Sequence, residues 1–246
     1  MPAGRTSADD RAQFGSASDY AYAALREAIV ARRFPPGRRM REIELAEWLG
    51  VSRTPTRHAL SRLEIEGLLT LRPRDGLIVS ALDSTATEEL YEMRAAIEGA
   101  AAAMAARHAS ARDIATLTDL VDREADVAKN ASARFQHNLT FHQALYTAAH
   151  NRFLIKSLNA LHDVIALLGP TTLGVEGRFR DACREHQRIV RAIAARDEQG
   201  AAVEASGHVL KALSIRKAML GLAARDEENS EPAPAAPAMQ GKESRR

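Results

Sequence analysis

Residues 50–70, GVSRTPTRHALSRLEIEGLLT, constrain the possible fold more than any other stretch of this chain. Gly50 ends a short amphipathic run and suits a helix C-terminus, because glycine tolerates the left-handed conformation. Ser52 is expected to cap the next helix, and Pro55 fits its first turn, where a missing N–H costs little. Of the apolar positions that follow, Leu60, Leu63 and Leu68 are predicted to share one side of that helix, with Ala59 and Ile65 close by. The segment therefore predicts two helices joined by a tight turn.

The second of these helices carries hydroxyl and guanidinium groups at its N-terminal end. Arg53, Thr54 and Arg57 lie there, and Arg62 follows on or near the same side. A recognition helix presents this end to base edges in the major groove of DNA. Arginine can bind guanine in bidentate fashion or clamp a phosphate. An ordinary helical hairpin with solvated arginines is the alternative interpretation.

The next segment, LLTLRPRDGLIVS, favours DNA binding over that alternative. Its apolar residues alternate on either side of a turn at 73–76, which predicts two short strands. Arg72 and Arg74 would lie at the tip of this hairpin, and Gly76 would let it bend. The sequence therefore predicts a winged helix-turn-helix, with Arg62, Arg72 and Arg74 holding phosphates or the minor groove.

Composition agrees with a DNA-binding chain only when it is examined locally. The net charge is +2 over 246 residues, but residues 31–80 contain ten Arg against five Glu and one Asp. A local basic surface is what phosphate contact requires. Cys183 is the single cysteine, which excludes an internal disulfide and suits a reducing compartment. No signal peptide or long apolar run is evident, so a cytoplasmic protein without membrane contact is expected.

The length leaves room for a second domain after the wing. Residues 1–18 are expected to be a disordered leader, 19–81 the winged helix-turn-helix, 82–222 a helical domain and 223–246 a disordered tail. A first helix is predicted from about Tyr20 to Arg33, capped by Ser18 or Asp19. Beyond the wing, helices are predicted at about 84–108, 110–129, 131–149, 151–168, 178–197 and 199–222. The fold is thus expected to be mainly α, with an antiparallel six-helix bundle at its C-terminal end.

The predicted bundle contains polar residues on its apolar helix faces. Asn138 and His142 are four residues apart on one helix, and His186 and His208 lie in the apolar stripes of two others. Neutral imidazole nitrogens and an amide oxygen that converge in a dry core would bind a divalent metal such as Zn²⁺, Ni²⁺ or Mn²⁺. Alternatively, each histidine is a hydrogen-bonded core residue.

Two stretches of the chain resemble a known family. The run PGRRMREIELAEWLGVSRTPTRHALSRLEIEGLLTLRPRDGLIV is similar to the DNA-binding domain of GntR-family bacterial transcription regulators. It departs from that pattern at Thr56 and His58, where an aliphatic residue and Glu are usual. Residues 84–222 resemble the FCD effector domain of the FadR branch, in its six-helix VanR-like form. The matching pieces are MRAAIEGAAAAMAA at 93–106, NLTFH at 138–142 and EHQRIVRAI at 185–193.

This resemblance implies that Asn138, His142, His186 and His208 are metal ligands. Asn138 stands where the family usually has Asp, so the metal would be held more weakly and would keep its full dipositive charge. Such a centre favours an anion in its open positions. Arg94 could grip a carboxylate there, or it could pair with Glu98 one turn later. Tyr91 and Glu98 are weaker candidates for the wall of the effector pocket, which is expected to take a small hydroxy, keto or sugar acid.

The predicted function is therefore a DNA-binding regulator, expected to be a repressor, that binds a palindromic operator as a homodimer. No catalytic residues are predicted, since no H-E-x-x-H helix and no serine or cysteine nucleophile elbow is present. Two alternatives remain open. The bundle could be purely structural, with dimerisation as its only role, or the chain could be a metal-dependent enzyme tethered to DNA.

Overall fold

The computed structural model of the chain describes residues 13–127 and 130–230. The N-terminal part, here called the head, contains three helices and a two-stranded wing. Its elements are α1 (Ala17–Val30), α2 (Glu42–Leu49), α3 (Arg53–Ile65), β1 (Leu69–Arg72) and β2 (Gly76–Val79). The part that follows, here called the bundle, is helical. Its elements are α4 (Ser84–His108), α5 (Ala111–Asp122), α6 (Glu124–Val127), α7 (Ala131–Ala148), α8 (Arg152–Ala166), a 3-10 turn (Thr172–Gly174), α9 (Arg178–Ala194) and α10 (Glu198–Ser230).

The tight turn between α2 and α3 forms as its sequence predicts. Gly50 adopts the left-handed conformation, with φ of 62°, and ends α2. Ser52 precedes α3 with an extended backbone, but its hydroxyl makes no capping hydrogen bond, so that detail of the prediction is wrong. Its carbonyl instead accepts a hydrogen bond from the hydroxyl of Thr56 at 3.0 Å. Thr56 is fully buried, so the polar group at this position is satisfied by the backbone of its own helix.

The wing is an antiparallel pair that runs from Leu69 opposite Val79 to Arg72 opposite Gly76. Gly76 has φ of 71°, a conformation that glycine adopts without strain. A compact apolar core supports the wing and both helices of the turn. It includes Tyr20, Leu25, Ile29, Phe34, Leu45, Leu49, Leu63, Leu68 and Val79.

Some helix bounds differ from those predicted. The first helix begins at Ala17, and its cap is Ser16, whose hydroxyl accepts from the Asp19 amide at 3.1 Å. The predicted helix at 110–129 is broken at Arg123 into α5 and the short α6. The last helix continues past 222 to Ser230, because residues 222–230 contain neither glycine nor proline to stop it. The rest of the predicted leader and tail, residues 1–12 and 231–246, lies outside the described residues.

In the bundle, α4 and α10 pack at backbone distance. A Cβ atom added at Gly99 would lie 2.3 Å from the Ser206 hydroxyl, so any larger residue there would displace Ser206. That hydroxyl donates to the Ala95 carbonyl at 2.9 Å. Small buried side chains, including those of Ala101, Ala102, Ala105 and Ala106, continue the close approach along α4. Phe141, Leu145, Ile189 and Ile193 from α7 and α9 complete this core.

The head contacts the bundle through α1. Arg26 of α1 donates two hydrogen bonds to Asp163 of α8, both at 2.5 Å. Arg32, just beyond α1, donates to the Leu167 carbonyl at 3.2 Å, and Leu167 packs into the apolar core of the head. Within residues 13–127 and 130–230, no helix has both the length and the apolar character that a membrane span needs.

Candidate metal centre and nucleic-acid interface

Three buried imidazoles meet inside the bundle. His142 of α7, His186 of α9 and His208 of α10 each offer one ring nitrogen, and these nitrogens all lie within 4.8 Å of one another. The residues are 1%, 2% and 4% exposed, respectively. The three side chains thus point into the bundle, as the sequence predicted. We call this group the three-histidine cluster.

A carboxylate faces the Nδ1 atom of every histidine in this cluster. Such a contact orients the ring, favours the tautomer with its proton on Nδ1, and leaves Nε2 as a lone-pair donor. None of the three pairs was predicted, although Glu98 was singled out for another role. The pairs are His142–Glu98 at 3.0 Å, His186–Glu124 at 2.5 Å and His208–Glu185 at 2.7 Å.

Several acceptor atoms at the cluster have no protein partner. Nε2 of His142, Nε2 of His186 and Oδ1 of Asn138 are buried without a hydrogen-bond partner among the described residues. Asn138 lies one turn before His142 on α7 and lines the same cavity as His208. Unpaired buried acceptors are costly, and imidazole nitrogens with an amide oxygen are ligands that borderline divalent ions accept. The donor set therefore fits a divalent cation.

Burial keeps two of the three imidazoles, those of His186 and His208, in the neutral form that binds metal. It lowers the pKa of His186 despite the opposing effect of Glu124. It lowers the pKa of His208 to about 3, although Glu185 favours the protonated form. At neutral pH these rings therefore have no proton to lose before they coordinate a metal.

The carboxylates behind the histidines are themselves held by buried arginines. Arg94 pairs with Glu98 one turn later on α4, which is one of the two roles that its position suggested. Arg178 donates to Glu185 at 2.8 Å. Burial would raise the pKa of Glu98, but Arg94 and His142 outweigh it and hold that pKa well below its usual range.

The charges around the cluster cancel. Three buried carboxylates face the buried guanidiniums of Arg94 and Arg178 and the exposed ammonium of Lys211, which lies 3.3 Å from Glu185. These charges sum to zero before any ion binds. The atoms nearest a bound ion would be neutral, as expected, but the negative charges of Glu124 and Glu185, which the sequence analysis missed, would partly offset the charge of the ion.

The cluster opens onto a cavity of about 1280 Å³, here called the junction cavity, whose wall comes from both the bundle and the head. Arg94 and Tyr91 line it, as their predicted role requires. Glu98 does not; it lies behind His142. Lining residues that the sequence analysis did not select include Arg26, Arg152, His162, Arg178 and Arg216.

On the DNA-binding side, Arg53, Thr54 and Arg57 are exposed at the start of α3. Both arginines pair with Glu42 of α2, which the sequence analysis missed. Arg53 donates to it at 2.8 Å, and Arg57 donates twice, at 2.8 and 3.1 Å. These arginines hold the pKa of Glu42 at about 2, so it stays charged at neutral pH. His58, also on α3, is exposed.

The other predicted DNA contacts divide into two groups. Arg72, Arg74 and Gly76 are exposed on the wing, where phosphates can approach them. Arg62 is turned toward α1: its guanidinium lies 3.5 Å from the ring centroid of Tyr22 and pairs with Glu66 at 3.1 Å. The side chain of Arg62 is thus held by contacts within the head.

Comparison with known proteins agrees with this architecture. Residues 17–79 match the family model described as bacterial regulatory proteins of the gntR family, and residues 89–211 match the FCD domain. An uncharacterised HTH-type transcriptional regulator of Agrobacterium vitis is 49% identical over 82 residues, which are 33% of this chain and 48% of that one. The Nta operon transcriptional regulator of Aminobacter aminovorans is 32% identical over 184 residues, 74% of this chain and 86% of that protein.

Among solved structures, Escherichia coli McbR/YncC superposes with a TM-score of 0.68 over 84% of this chain and 100% of that chain. At 20% identity this likeness concerns the fold alone. The two matched domains and the relative that aligns over most of its length are those of regulators and not of enzymes. The chain therefore belongs to the GntR family of bacterial transcriptional regulators, in which a DNA-binding domain of that family precedes an FCD domain.

Proposed function

We propose that this regulator binds a divalent metal and a small organic acid in its bundle, and that the acid changes its affinity for an operator. The DNA-binding unit would be residues 19–81, and the unit for effector binding and dimerisation would be 82–222. The observation that carries this proposal is the pairing of every Nδ1 in the three-histidine cluster with a carboxylate, while Nε2 of His142 and His186 stay unpaired.

The proposed ligands of the metal are Asn138, His142, His186 and His208. A histidine that serves only the core needs one or two ordinary hydrogen bonds, and it gains nothing from leaving Nε2 buried and unpaired. A bound cation would give the unpaired Nε2 atoms and the Asn138 oxygen a partner at the same time. The ion class is Zn²⁺, Ni²⁺ or Mn²⁺, since imidazole nitrogen suits these better than it suits Mg²⁺ or Ca²⁺.

The acid would bind in the junction cavity beside the metal. Arg94 and Tyr91 are in its wall, and Arg178 adds a second buried guanidinium. Arg94 already neutralises Glu98, so attraction for an anion depends largely on the metal. The site in effect needs its ion before it can bind a carboxylate.

On DNA, Arg53, Thr54 and Arg57 would probe the major groove, and Arg72, Arg74 and Gly76 would contact the backbone or the minor groove through the wing. A homodimer on a palindromic operator matches two such heads to two half-sites. Acting as a cytoplasmic repressor, the protein would leave its operator when the acid binds. Operator binding and acid binding would then favour different placements of the heads.

The test is a thermal-shift screen of the full chain against small organic acids, with Zn²⁺ and with a chelator. An acid that raises the melting temperature only with metal present would support the proposal. Metal content of the purified protein is measured in parallel. A protein without stoichiometric metal, unchanged by chelator and by every acid, would favour a structural bundle instead.

A matched pair of variants locates the effect. His186→Ala should abolish metal uptake and the metal-dependent shift, because it removes a ligand whose Nδ1 is already held by Glu124. His108→Ala is the control, since His108 is exposed at the end of α4. Equal metal content in the two variants would contradict the proposed site.

A further inference from the structure

We propose that the junction cavity has a second anion-binding subsite at Arg26 of the head, and that the effector is an elongated acid with an anionic group at each end. A dicarboxylate is the simplest member of this class. This inference rests on the proposed function, because one end of the acid is held at the metal and Arg94. It adds a contact between the effector and the DNA-binding head itself.

The size of the cavity is the first observation. Sites for small molecules usually enclose about 300–1000 Å³. At about 1280 Å³, the junction cavity exceeds that range. A compact acid at the three-histidine cluster would leave most of it to water. Its wall includes Tyr22, Arg26, Arg62 and Glu66 of the head, so a longer ligand would reach the head directly.

The geometry of Arg26 is the second observation. Its Nε and Nη2 atoms each donate to one oxygen of Asp163 at 2.5 Å, the fork-shaped arrangement in which arginine binds any carboxylate or phosphate. The side chain of Arg26 is 39% exposed, and that of Asp163 is 15% exposed. The chain's own carboxylate thus occupies a place that a ligand anion could take.

The Asp163 side chain has space to move away from Arg26. The Arg26–Asp163 pair borders the junction cavity on one side and a second cavity of about 710 Å³ on the other. A ligand anion that arrives through the junction cavity could therefore replace Asp163 at Arg26. The displaced side chain would turn toward the second cavity instead of being buried without a partner.

A short row of rings connects the two subsites. His162 lines the junction cavity and directly precedes Asp163. Its ring centroid is 6.1 Å from that of Tyr146, which is 6.0 Å from that of His142 in the cluster. Two ring-to-ring steps of about 6 Å thus separate His142 from His162, the residue next to Asp163, so a ligand that reaches from the cluster to Arg26 needs an extended chain with charged ends.

The subsite at Arg26 is also connected to the recognition helix. Tyr22 lies one turn before Arg26 on α1, and its hydroxyl donates to Glu66, just beyond α3, at 2.7 Å. Arg62 of α3 stacks on the Tyr22 ring. A ligand that replaces Asp163 at Arg26 breaks the ion pair between head and bundle. It also acts on α1, the helix whose Tyr22 contacts Arg62 and Glu66 at the end of α3.

The experiment uses calorimetric titration of the Zn²⁺-loaded full chain with adipate and suberate, and with hexanoate and octanoate as monoacids of equal length. The diacids should bind more tightly than the matched monoacids. In Arg26→Gln this advantage should disappear, while the affinity for monoacids stays the same. Arg33→Gln is the control, because Arg33 is exposed near the end of α1 and does not line the cavity.

Asp163→Asn gives a result of opposite sign. It leaves Arg26 free for the ligand, so affinity for the diacids should rise about tenfold, the usual effect of one charge-assisted hydrogen bond. If the Arg26–Asp163 pair had only a structural role, both substitutions would weaken the binding of all acids to the same extent. Equal effects on diacids and monoacids would overturn the subsite.

The proposed function fails in a different way. If monoacids and diacids bind equally and only with metal, the metal site stands and the subsite at Arg26 is wrong. If diacids bind with the expected dependence on Arg26 but without metal, the subsite is supported and the metal-bound end is wrong. If no acid binds to the Zn²⁺-loaded protein, both proposals are overturned.

Discussion

Glutamates hold basic side chains in place in two regions of this molecule, with opposite consequences. On the DNA-binding face, Glu42 pairs with Arg53 and Arg57, whose side chains are 62% and 66% exposed. In the three-histidine cluster, Glu98, Glu124 and Glu185 pair with imidazoles and are at most 3% exposed. An exposed pair contributes little free energy and exchanges readily for a phosphate, whereas a buried pair fixes geometry and cannot be opened cheaply.

This contrast suits the separate tasks that we propose for the two regions. A recognition surface has to give up its internal partners when DNA arrives, so its ion pairs should be weak. A metal site has to present its nitrogens in one arrangement before the ion enters, so its ion pairs should be rigid. The following predictions test this difference, beginning with the largest expected effect.

Breaking a buried pair should cost far more stability than breaking an exposed one. Arg94→Met leaves Glu98 buried without its guanidinium and should lower the free energy of unfolding by about 3–5 kcal/mol. Arg123→Met removes an exposed pair with Asp119 and should cost about 1 kcal/mol or less. Urea unfolding of both variants in chelator measures the difference. Similar losses would show that burial of the pair is irrelevant.

Lowering the pH should destabilise the folded interior, and His162 is one of the groups responsible. Burial, aided by Arg94 and His142, lowers its pKa from 6.5 to about 4. Between these pH values the unfolded chain binds a proton that the folded chain does not, so the free energy of unfolding falls as the pH drops. His162 alone contributes up to about 3 kcal/mol of this loss.

Urea unfolding of chelated protein from pH 7 to pH 4 checks that window. His162→Gln should reduce the slope of stability against pH, while the exposed control His108→Gln should leave it unchanged. An identical slope in wild type and His162→Gln would contradict the shifted pKa.

Removing a supporting carboxylate should weaken metal binding without abolishing it. Glu124→Gln keeps a hydrogen-bond acceptor near Nδ1 of His186 but removes the charge that makes the ring a better ligand. The affinity for Zn²⁺ should fall by about 10–100-fold, as measured by competition with a chromogenic chelator. Glu176→Gln, at an exposed site between the 3-10 turn and α9, is the control. Unchanged affinity in Glu124→Gln would refute the role given to these carboxylates.

The smallest effect is expected for the exposed ion pairs on the DNA-binding face. Glu42→Gln frees Arg53 and Arg57 and removes a negative charge near the phosphates. Affinity for random DNA should rise a few-fold and fall more steeply with salt, so that discrimination in favour of the operator decreases. Fluorescence anisotropy with an operator selected from a random library measures both. Glu44→Gln, two residues further along α2 and paired with Arg41, is the control and should change neither quantity.

The sequence predicted most of what depends on local pattern. Gly50 specifies the turn between α2 and α3, and the alternation of apolar residues around 73–76 specifies the wing, in both cases through local sequence alone. The inward placement of His142, His186 and His208 followed from their positions in apolar helix stripes. The match of the chain to the GntR and FCD family models agrees with the resemblance that these motifs carried.

What the sequence could not predict depends on distant contacts. Glu124 reaches His186 because the helix predicted at 110–129 breaks at Arg123, and no glycine or proline marks that break. Glu42 meets Arg57 across a turn, 15 residues later. Glu185 was visible beside His186 in the sequence, yet it serves the neighbouring His208 instead. Partners chosen by tertiary packing leave no periodic signal.

The contact between Gly99 and Ser206 fixes the distance between two helices that border the three-histidine cluster. Glu98, which pairs with His142, precedes Gly99, and His208 follows Ser206 by two residues. A side chain larger than that of glycine at position 99 would displace Ser206, whose hydroxyl donates to the Ala95 carbonyl. The spacing between Glu98 and His208 thus depends on two residues outside the cluster.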